Sequence, residues 1–322
     1  MKCIAVVCGG YSGESVVSMR SASMIMNHID RSKYTPVKIV ITRSAWFADF
    51  DGIEVVVDKN DFTVNHNGER IAFDGAFIII HGTPGEDGLL QGYFAMLGIP
   101  HTTGDVLNMA TTFNKKATTR LLGALGYSVA KSITLHKDEP YSVSFLIQNL
   151  GLPAFVKPNC GGSSIGTSRV NSAEEFHVAL DKAFREDAQV IIEQFIEGTE
   201  VTCGVIRHNG RITALPITEI VSKKEFFDFE AKYQGASEEI TPARLSPEMT
   251  ARIQRACEGI YQKLNCKGMI RVDWLIRGDE PFAVEVNTVP GFSEASIIPQ
   301  QAAAIGMSKT ELISAVLEGE GI

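Results

Sequence analysis

An α/β architecture of two or three domains is what the sequence predicts, from three observations. The chain has 322 residues, too many for one ordinary hydrophobic core. In its first third, short Val- and Ile-rich runs alternate with stretches of helical spacing, the rhythm of βαβ units around a parallel sheet. Beyond Glu200 the runs follow one another directly, as in antiparallel strands.

Ile4–Val7, Val37–Ile41 and Ala76–Ile80 are the first strands, each closed by Gly, Thr or His. Between the first two, Val16, Val17, Met19, Met24, Ile25 and Ile29 recur at helical spacing, so a crossover helix is expected there. Around Leu107–Leu125 the pattern is helical, with Gly123 and Gly126 marking its end. A second α/β unit follows from Ile133 to Phe195, with strand Ala154–Lys157, a helix near Ala173–Phe184 and strand Val190–Phe195. Val201–Ile206 and Arg211–Thr218 read as strands, Pro247–Leu264 as a helix and Met269–Asn287 as a hairpin. Natural cuts fall near 104–113 and 196–200.

Composition narrows the function classes. Apolar residues make up 44% and charged residues 21%, a globular balance rather than a disordered one. The net charge of −8 and the dispersed Lys and Arg argue against nucleic acid. No apolar run approaches the roughly 18 residues of a membrane span. The N-terminus starts like a signal peptide, but Gly9-Gly10 interrupts the apolar run, so a buried first strand is expected. The six cysteines show no CxxC pair or zinc spacing and read as reduced thiols of a cytoplasmic protein. The seven histidines form no HxxxH or HxH cluster.

The hairpin carries the most local chemistry. Ile270–Ile276 and Phe282–Val286 flank the turn-forming Arg277-Gly278-Asp279-Glu280-Pro281. Symmetry about Asp279 pairs Asp273 with Glu285 and Arg271 with Asn287, all on one face. Ile270, Val272, Trp274, Val284 and Val286 then form the core face. Two carboxylates directly opposed repel one another unless a cation lies between them. Oxygen donors alone, with one amide, suit Mg2+ or Mn2+ rather than Zn2+. A solvated face on which Arg271 neutralises one acid is the other reading of these residues.

Two loops ask for an anion. Asn287-Thr288-Val289-Pro290-Gly291-Phe292-Ser293 leads toward a helical segment near Ser296, where backbone NH groups suit a carboxylate or phosphate. Lys157-Pro158-Asn159-Cys160-Gly161-Gly162-Ser163-Ser164-Ile165-Gly166 follows a buried strand; its glycines let the backbone approach an anion, and Ser163 and Ser164 supply donors. It is no P-loop, because Thr167 stands where GxxxxGK[ST] needs lysine; a surface connector is the alternative. Gly9-Gly10-Tyr11-Ser12-Gly13-Glu14 lacks the G-x-G-x-x-G spacing of a dinucleotide site.

These motifs in this order resemble the D-alanine–D-alanine ligase family of the ATP-grasp superfamily over essentially the whole chain. The matching residues are Gly9-Gly10-x-Ser12-x-Glu14, His81-Gly82-x-x-Gly85-Glu86-Asp87-Gly88, Lys157-Pro158, Gly162-Ser163-Ser164-x-Gly166 and Glu230-Ala231-Lys232-Tyr233. Arg271-x-Asp273 and Glu285-x-Asn287-Thr288-x-Pro290-Gly291 complete them. The resemblance implies a three-domain ATP-grasp fold: a Rossmann-like parallel-sheet domain at 1–108, a central subdomain at 109–197 and a C-terminal one at 198–322. ATP would lie between the last two.

The resemblance also implies roles. Lys115 and Lys157 contact the ATP phosphates, with the Ser163-Ser164 loop above them. Glu193, Gln194, Phe195 and Ile196 line the adenine pocket, and Glu200 holds the ribose. Glu14 binds the ammonium of the first D-alanine, with Ser163 and Tyr233 hydrogen-bonded around it and His81 nearby. Lys232 reaches the transferring phosphoryl group. Arg271 and the Gly291 NH stabilise the oxyanion, while Ser296 and Ile297 take the second D-alanine's carboxylate. Asp273, Glu285 and Asn287 hold Mg2+ or Mn2+, two ions in all. The product is D-alanyl-D-alanine, made through a D-alanyl phosphate for peptidoglycan precursor synthesis, and the state implied is a cytoplasmic homodimer with no membrane or nucleic-acid partner.

In this family a tyrosine at position 233 accompanies dipeptide formation, and phenylalanine there accompanies depsipeptide formation with D-lactate. The chain departs from the pattern at Ser15, where arginine is common, and at Phe226-Phe227-Asp228-Phe229, which has aromatics but no tyrosine. Phe226, Phe227 and Phe229 are expected to form a lid.

Overall fold

The computed structural model describes residues 1–162, 164–222 and 237–322. The polypeptide builds three sheets in chain order. The first has seven strands ordered β6-β5-β4-β3-β2-β1-β7: β1 (Lys2–Gly9), β2 (Tyr34–Ile41), β3 (Trp46–Phe50), β4 (Ile53–Asp58), β5 (Thr63–His66), β6 (Glu69–Ile71) and β7 (Gly75–Ile78). The expected parallel core exists: β1 pairs parallel with β2 and with β7, across helix α1 (Ser15–His28). The antiparallel run from β3 to β6 is an addition the βαβ rhythm did not announce. Along β1 the side chains alternate between two cores. Ile4, Val6 and Cys8 face α1 residues such as Met24 and Ile25, whereas Ala5 and Val7 face the core holding Leu90 and Phe94 of α2 (Leu89–Leu97).

The expected helix over Leu107–Leu125 is two helices, α3 (Val106–Phe113) and α4 (Lys115–Ala124). Asn114 separates them with extended backbone, and its side chain accepts the Ala117 N–H as an N-cap. Its backbone also bridges to Cys160. The break therefore places Lys115 at the start of a helix, against the glycine loop.

The second sheet, β10-β9-β11-β8, is antiparallel throughout and is built from β8 (Ser132–His136), β9 (Ala154–Pro158), β10 (Ser168–Val170) and β11 (Gln189–Gln194). Helices α5 (Val143–Leu150) and α6 (Glu175–Phe184) share its core through Leu146, Phe176 and Leu180.

The third sheet runs β15-β14-β12-β16-β17, from β12 (Thr199–His208), β14 (Thr218–Ser222), β15 (Ser237–Ile240), β16 (Met269–Arg277) and β17 (Glu280–Asn287), with β13 (Arg211–Ala214) beside β12. The expected strand Arg211–Thr218 is thus two strands. Pro216, which cannot donate to a ladder, lies in the gap, and Leu215 instead donates to the Gly204 carbonyl. Helix α7 (Pro247–Lys263) begins on Ser246, which accepts the Met249 N–H, with proline in its first turn. Helices α8 (Ile297–Ala304) and α9 (Lys309–Glu318) close the chain, and Ile298 and Leu312 join the same core as Ile4 and Phe77.

Candidate active site

A cleft of about 860 Å3 is lined by the second and third sheets together with α1 and the loop that follows β7. It gathers the described residues proposed from the sequence: Glu14, His81, Lys115, Lys157, Ser164, Glu193, Gln194, Phe195, Ile196, Glu200, Arg271, Asp273, Glu285, Asn287, Gly291, Ser296 and Ile297. Ser163, Lys232, Tyr233 and the expected lid of Phe226, Phe227 and Phe229 lie outside the described residues.

The hairpin has the expected register where it matters. Asp273 pairs with Glu285 and Arg271 with Asn287. A bulge lies between that stretch and the turn, so Trp274 faces Ala283 and Arg277 faces Glu280. Val284 is the extra residue and lines the cleft, while Ala283 takes the core place expected for Val284. One inserted residue reconciles the tight turn with opposed acids at the other end.

Those acids are held by borrowed donors. The Arg271 guanidinium donates to both Asp273 oxygens, each at 2.8 Å. Thr202 Oγ1 donates to Asp273 Oδ1 at 2.5 Å. The Asn287 amide nitrogen reaches Asp273 Oδ2 at 3.0 Å and Glu285 Oε1 at 3.5 Å. Both readings of this face thus find support, since Arg271 does neutralise one acid. The donor set of two carboxylates and an amide within reach of both still fits a hard divalent cation, as the amide can present its oxygen in place of its nitrogen. Among the described residues no group of three or more His, Cys, Asp or Glu gathers as a metal site.

On the facing wall, Lys157 at the end of β9 meets Glu193 of β11 at 2.6 Å. Burial opposes its charge, but the charge and hydrogen bond of Glu193, together with the Glu285 charge, outweigh burial and raise the Lys157 pKa. Lys115 donates to the Gly161 carbonyl, and burial, together with the nearby Lys157 charge, lowers its pKa. An anion placed beside Lys115 would raise its pKa again. Gly161 has a positive φ of 122°, which favours glycine in the loop above.

Glu14 is buried at the start of α1, yet its side chain makes no capping hydrogen bond. It turns toward the glycine loop: a Cβ on Gly162 would come within 2.9 Å of its Oε1. Ser12, two residues before, donates to the His81 carbonyl. The His81 ring bonds the Val289 carbonyl at 2.9 Å, which assigns the proton to Nδ1, and so ties the first sheet to the loop after β17. Burial lowers the His81 pKa, with the Arg271 charge adding to it, against the opposite pull of Glu14 and the Val289 carbonyl. The sequence left Glu86 without a role. Its carboxylate accepts the Gly82 N–H at 2.6 Å, and burial, reinforced by Glu14, pushes its pKa up to about 8.

Ser296 caps α8 with its backbone and turns its hydroxyl back to the Ser293 N–H at 2.8 Å. The first turn of α8 therefore has no side-chain cap and faces the cleft at Ile297. Helix α8 is fixed from below by the fully buried Gln301, which accepts the Gly204 N–H at 2.9 Å and donates to the Thr202 carbonyl and to Thr218 Oγ1, both at 3.0 Å. Thr202, Gln301 and Arg20 are cleft or support residues that the sequence reading missed. Thr202 faces Asp273 across β12 and β16, far apart in sequence, and no local spacing signals that pairing.

Two family models cover most of the chain: the N-terminus of D-Ala–D-Ala ligase at residues 3–104 and its C-terminus at residues 121–318. The chain belongs to the D-alanine–D-alanine ligase family. A relative in Porphyromonas gingivalis, named D-alanine–D-alanine ligase, is 48% identical over 98% of this chain and 96% of its own. Among solved structures, the VanG D-Ala:D-Ser ligase of Enterococcus faecalis superposes with a TM-score of 0.87 at 33% identity, covering 98% of each chain. The Bacillus anthracis D-alanine–D-alanine ligase complexed with ATP superposes at 0.80 with 29% identity, over 99% of this chain and 97% of that one. The ligase fold of this chain is therefore the mixed α/β ATP-grasp arrangement expected. Among the described residues, no helix is long and apolar enough to cross a membrane.

Proposed function

We propose that this ligase joins two D-alanines into D-alanyl-D-alanine with cleavage of ATP to ADP and phosphate, supplying a peptidoglycan precursor in the cytoplasm. One observation carries the reading: an acid that can hold an ammonium (Glu14), two half-buried lysines that can hold phosphates (Lys115 and Lys157) and the opposed acids Asp273 and Glu285 all face one cleft.

A carboxylate is a poor electrophile. An oxygen of the first D-alanine's carboxylate attacks the γ-phosphorus of ATP, ADP leaves, and the resulting acyl phosphate carries a good leaving group. The amine of the second D-alanine then attacks the carbonyl carbon, phosphate departs and the amine proton goes to solvent. Glu14 anchors the first ammonium, with Ser163 and Tyr233 completing that set and His81 behind it. Lys115, Lys157, Ser164 and Lys232 position the phosphates, which is most of what phosphoryl transfer requires. Glu193, Gln194, Phe195 and Ile196 take the adenine and Glu200 the ribose. Arg271 and the Gly291 N–H face the developing oxyanion. Ser296 and Ile297 receive the second carboxylate at the α8 N-terminus. Asp273, Glu285 and Asn287 would hold Mg2+ or Mn2+, two ions in all, which would supply charge neutralisation for the phosphates.

We further propose three domains, at 1–108, 109–197 and 198–322, and a homodimer formed through the first. The likeness to the D-Ala:D-Ser ligase favours one alternative, a different second substrate. Phosphate release from MgATP measured with D-alanine, D-serine, D-lactate and L-alanine separates them. Release that depends on D-alanine alone is expected; none with D-alanine overturns the proposal, and faster release when D-serine is added favours the alternative.

A further inference from the structure

We propose that Ser21 is a positioning residue for amide-bond formation: from α1 it aims the Gly291 N–H at the developing oxyanion, a role that rests on the ligase reading above. Gly291 has no side chain, and Pro290 before it has no N–H to bond. The direction of the Gly291 donor is therefore set by what holds Val289 and Phe292 on either side of the pair. Both are held from the N-terminal part of the chain. The His81 ring donates to the Val289 carbonyl at 2.9 Å, and the Phe292 N–H donates to Ser21 Oγ at 3.2 Å. The two holders lie side by side behind the segment, with Ser21 Oγ 3.5 Å from His81 Nε2.

Ser21 is a fixed acceptor. Its hydroxyl donates to the Val17 carbonyl at 3.0 Å, one turn back in α1, which leaves its lone pairs for Phe292. Helix α1 is itself pinned nearby, where Ser18 Oγ accepts the Gly9 N–H at 3.0 Å and donates to the Ile79 carbonyl at 2.6 Å. Ser18, Ser21 and Phe292 are fully buried, and the Phe292 ring packs 6.1 Å from that of Phe77 on β7. Ser21 stands behind the cleft wall rather than on it, so it acts through the backbone of 289–292. Without its acceptor, the buried Phe292 N–H is unsatisfied and the segment must shift to find another partner.

That shift bears on one chemical step. The acceptor nitrogen bonds the carbonyl carbon, the carbon–oxygen bond to phosphate breaks, and the nitrogen's proton leaves to solvent. Negative charge collects on the carbonyl oxygen between bond making and bond breaking, and a donor helps only if it is already aimed there. Phosphoryl transfer from ATP, the earlier step, develops its charge on phosphate oxygens instead. Ser21 thus serves the second step and leaves the first alone.

The test follows ADP and dipeptide separately by rapid quench, on the full chain with saturating MgATP and D-alanine. Ser21→Ala is expected to keep first-turnover ADP formation within about twofold and to slow dipeptide formation about ten- to thirtyfold, less than the loss of an oxyanion donor outright. ADP should then appear as a burst ahead of the dipeptide. Ser21→Thr, which keeps the acceptor, is expected to restore most of the dipeptide rate. In the ligand-free protein, amide exchange at Phe292 should quicken by more than about tenfold in Ser21→Ala while α1 stays protected. The inference is overturned by an unchanged dipeptide rate in Ser21→Ala, by equal slowing of both steps, or by exchange at Phe292 that quickens no more than in the rest of the chain. A Ser21→Thr chain of wild-type Tm that is as slow as Ser21→Ala overturns it too. A wild-type chain that forms no ADP with D-alanine overturns the ligase reading itself, and exchange at Phe292 still reads the Ser21 contact.

Discussion

Replacing Glu285 by glutamine separates the two readings of the hairpin face by the sign of a stability change. In the cation-free protein, the Asp273 and Glu285 oxygens are both within reach of the one Asn287 amide nitrogen, at 3.0 and 3.5 Å. Two unit charges about 5 Å apart repel by about 3 kcal/mol at an effective dielectric constant of 20 and by under about 1 kcal/mol in water. The Arg271 guanidinium, bonded to both Asp273 oxygens, and the attraction of Glu285 for the Lys115 and Lys157 charges offset most of this, so the net penalty lies at or below the lower figure. With EDTA present, Glu285→Gln should therefore be as stable as the wild type or up to about 1 kcal/mol more stable. Saturating Mg2+ should reverse the order. A ligand at about 100 times its Kd stabilises a protein by about 2.7 kcal/mol, and the variant, lacking one anionic donor, should gain far less. Chemical denaturation with and without Mg2+ reads both effects, and the variant's turnover should be abolished with its circular dichroism unchanged. Equal Mg2+ stabilisation of both proteins, or a variant destabilised by about 2 kcal/mol in EDTA, would show that Glu285 serves as a structural ion-pair partner instead.

Two further expectations follow from groups that only the folded chain brings together. Because the Glu86 pKa is raised from 4.5 to about 8, the folded state keeps a proton that the unfolded chain has lost. Stability from this group is full below the unfolded value and is lost as pH rises toward 8, so Glu86→Gln should gain in Tm on the wild type across that window in a ligand-free pH series; a flat difference refutes the assignment. Gln301→Met removes three buried hydrogen bonds and strands the Gly204 N–H, which should cost about 2–4 kcal/mol in denaturation and raise the acceptor KM as α8 loosens; a cost under about 1 kcal/mol refutes its role as the anchor of α8.

Local order in the sequence was enough wherever the physics is local. The period-two alternation of β1 divides its side chains between two cores, and the residue count across the hairpin sets Asp273 against Glu285. Ordered motifs gave the family, and with it the cleft residues from Glu14 to Ile297. Where contacts span the chain, only the tertiary structure decided. Asn114 looks like one more helical residue until its backbone is seen bridged to Cys160, which splits the helix and sets Lys115 at an N-terminus. The bulge at Val284 arises because a tight turn and a fixed acid pair demand registers one residue apart. Thr202 reaches Asp273 only through the β12–β16 pairing, and Arg20 lines the cleft only because α1 folds beside the loop after β17. Spacing along the chain encodes which face a side chain takes, whereas its partners, and so its charge and its freedom to bind substrate, depend on segments folded against it from far away.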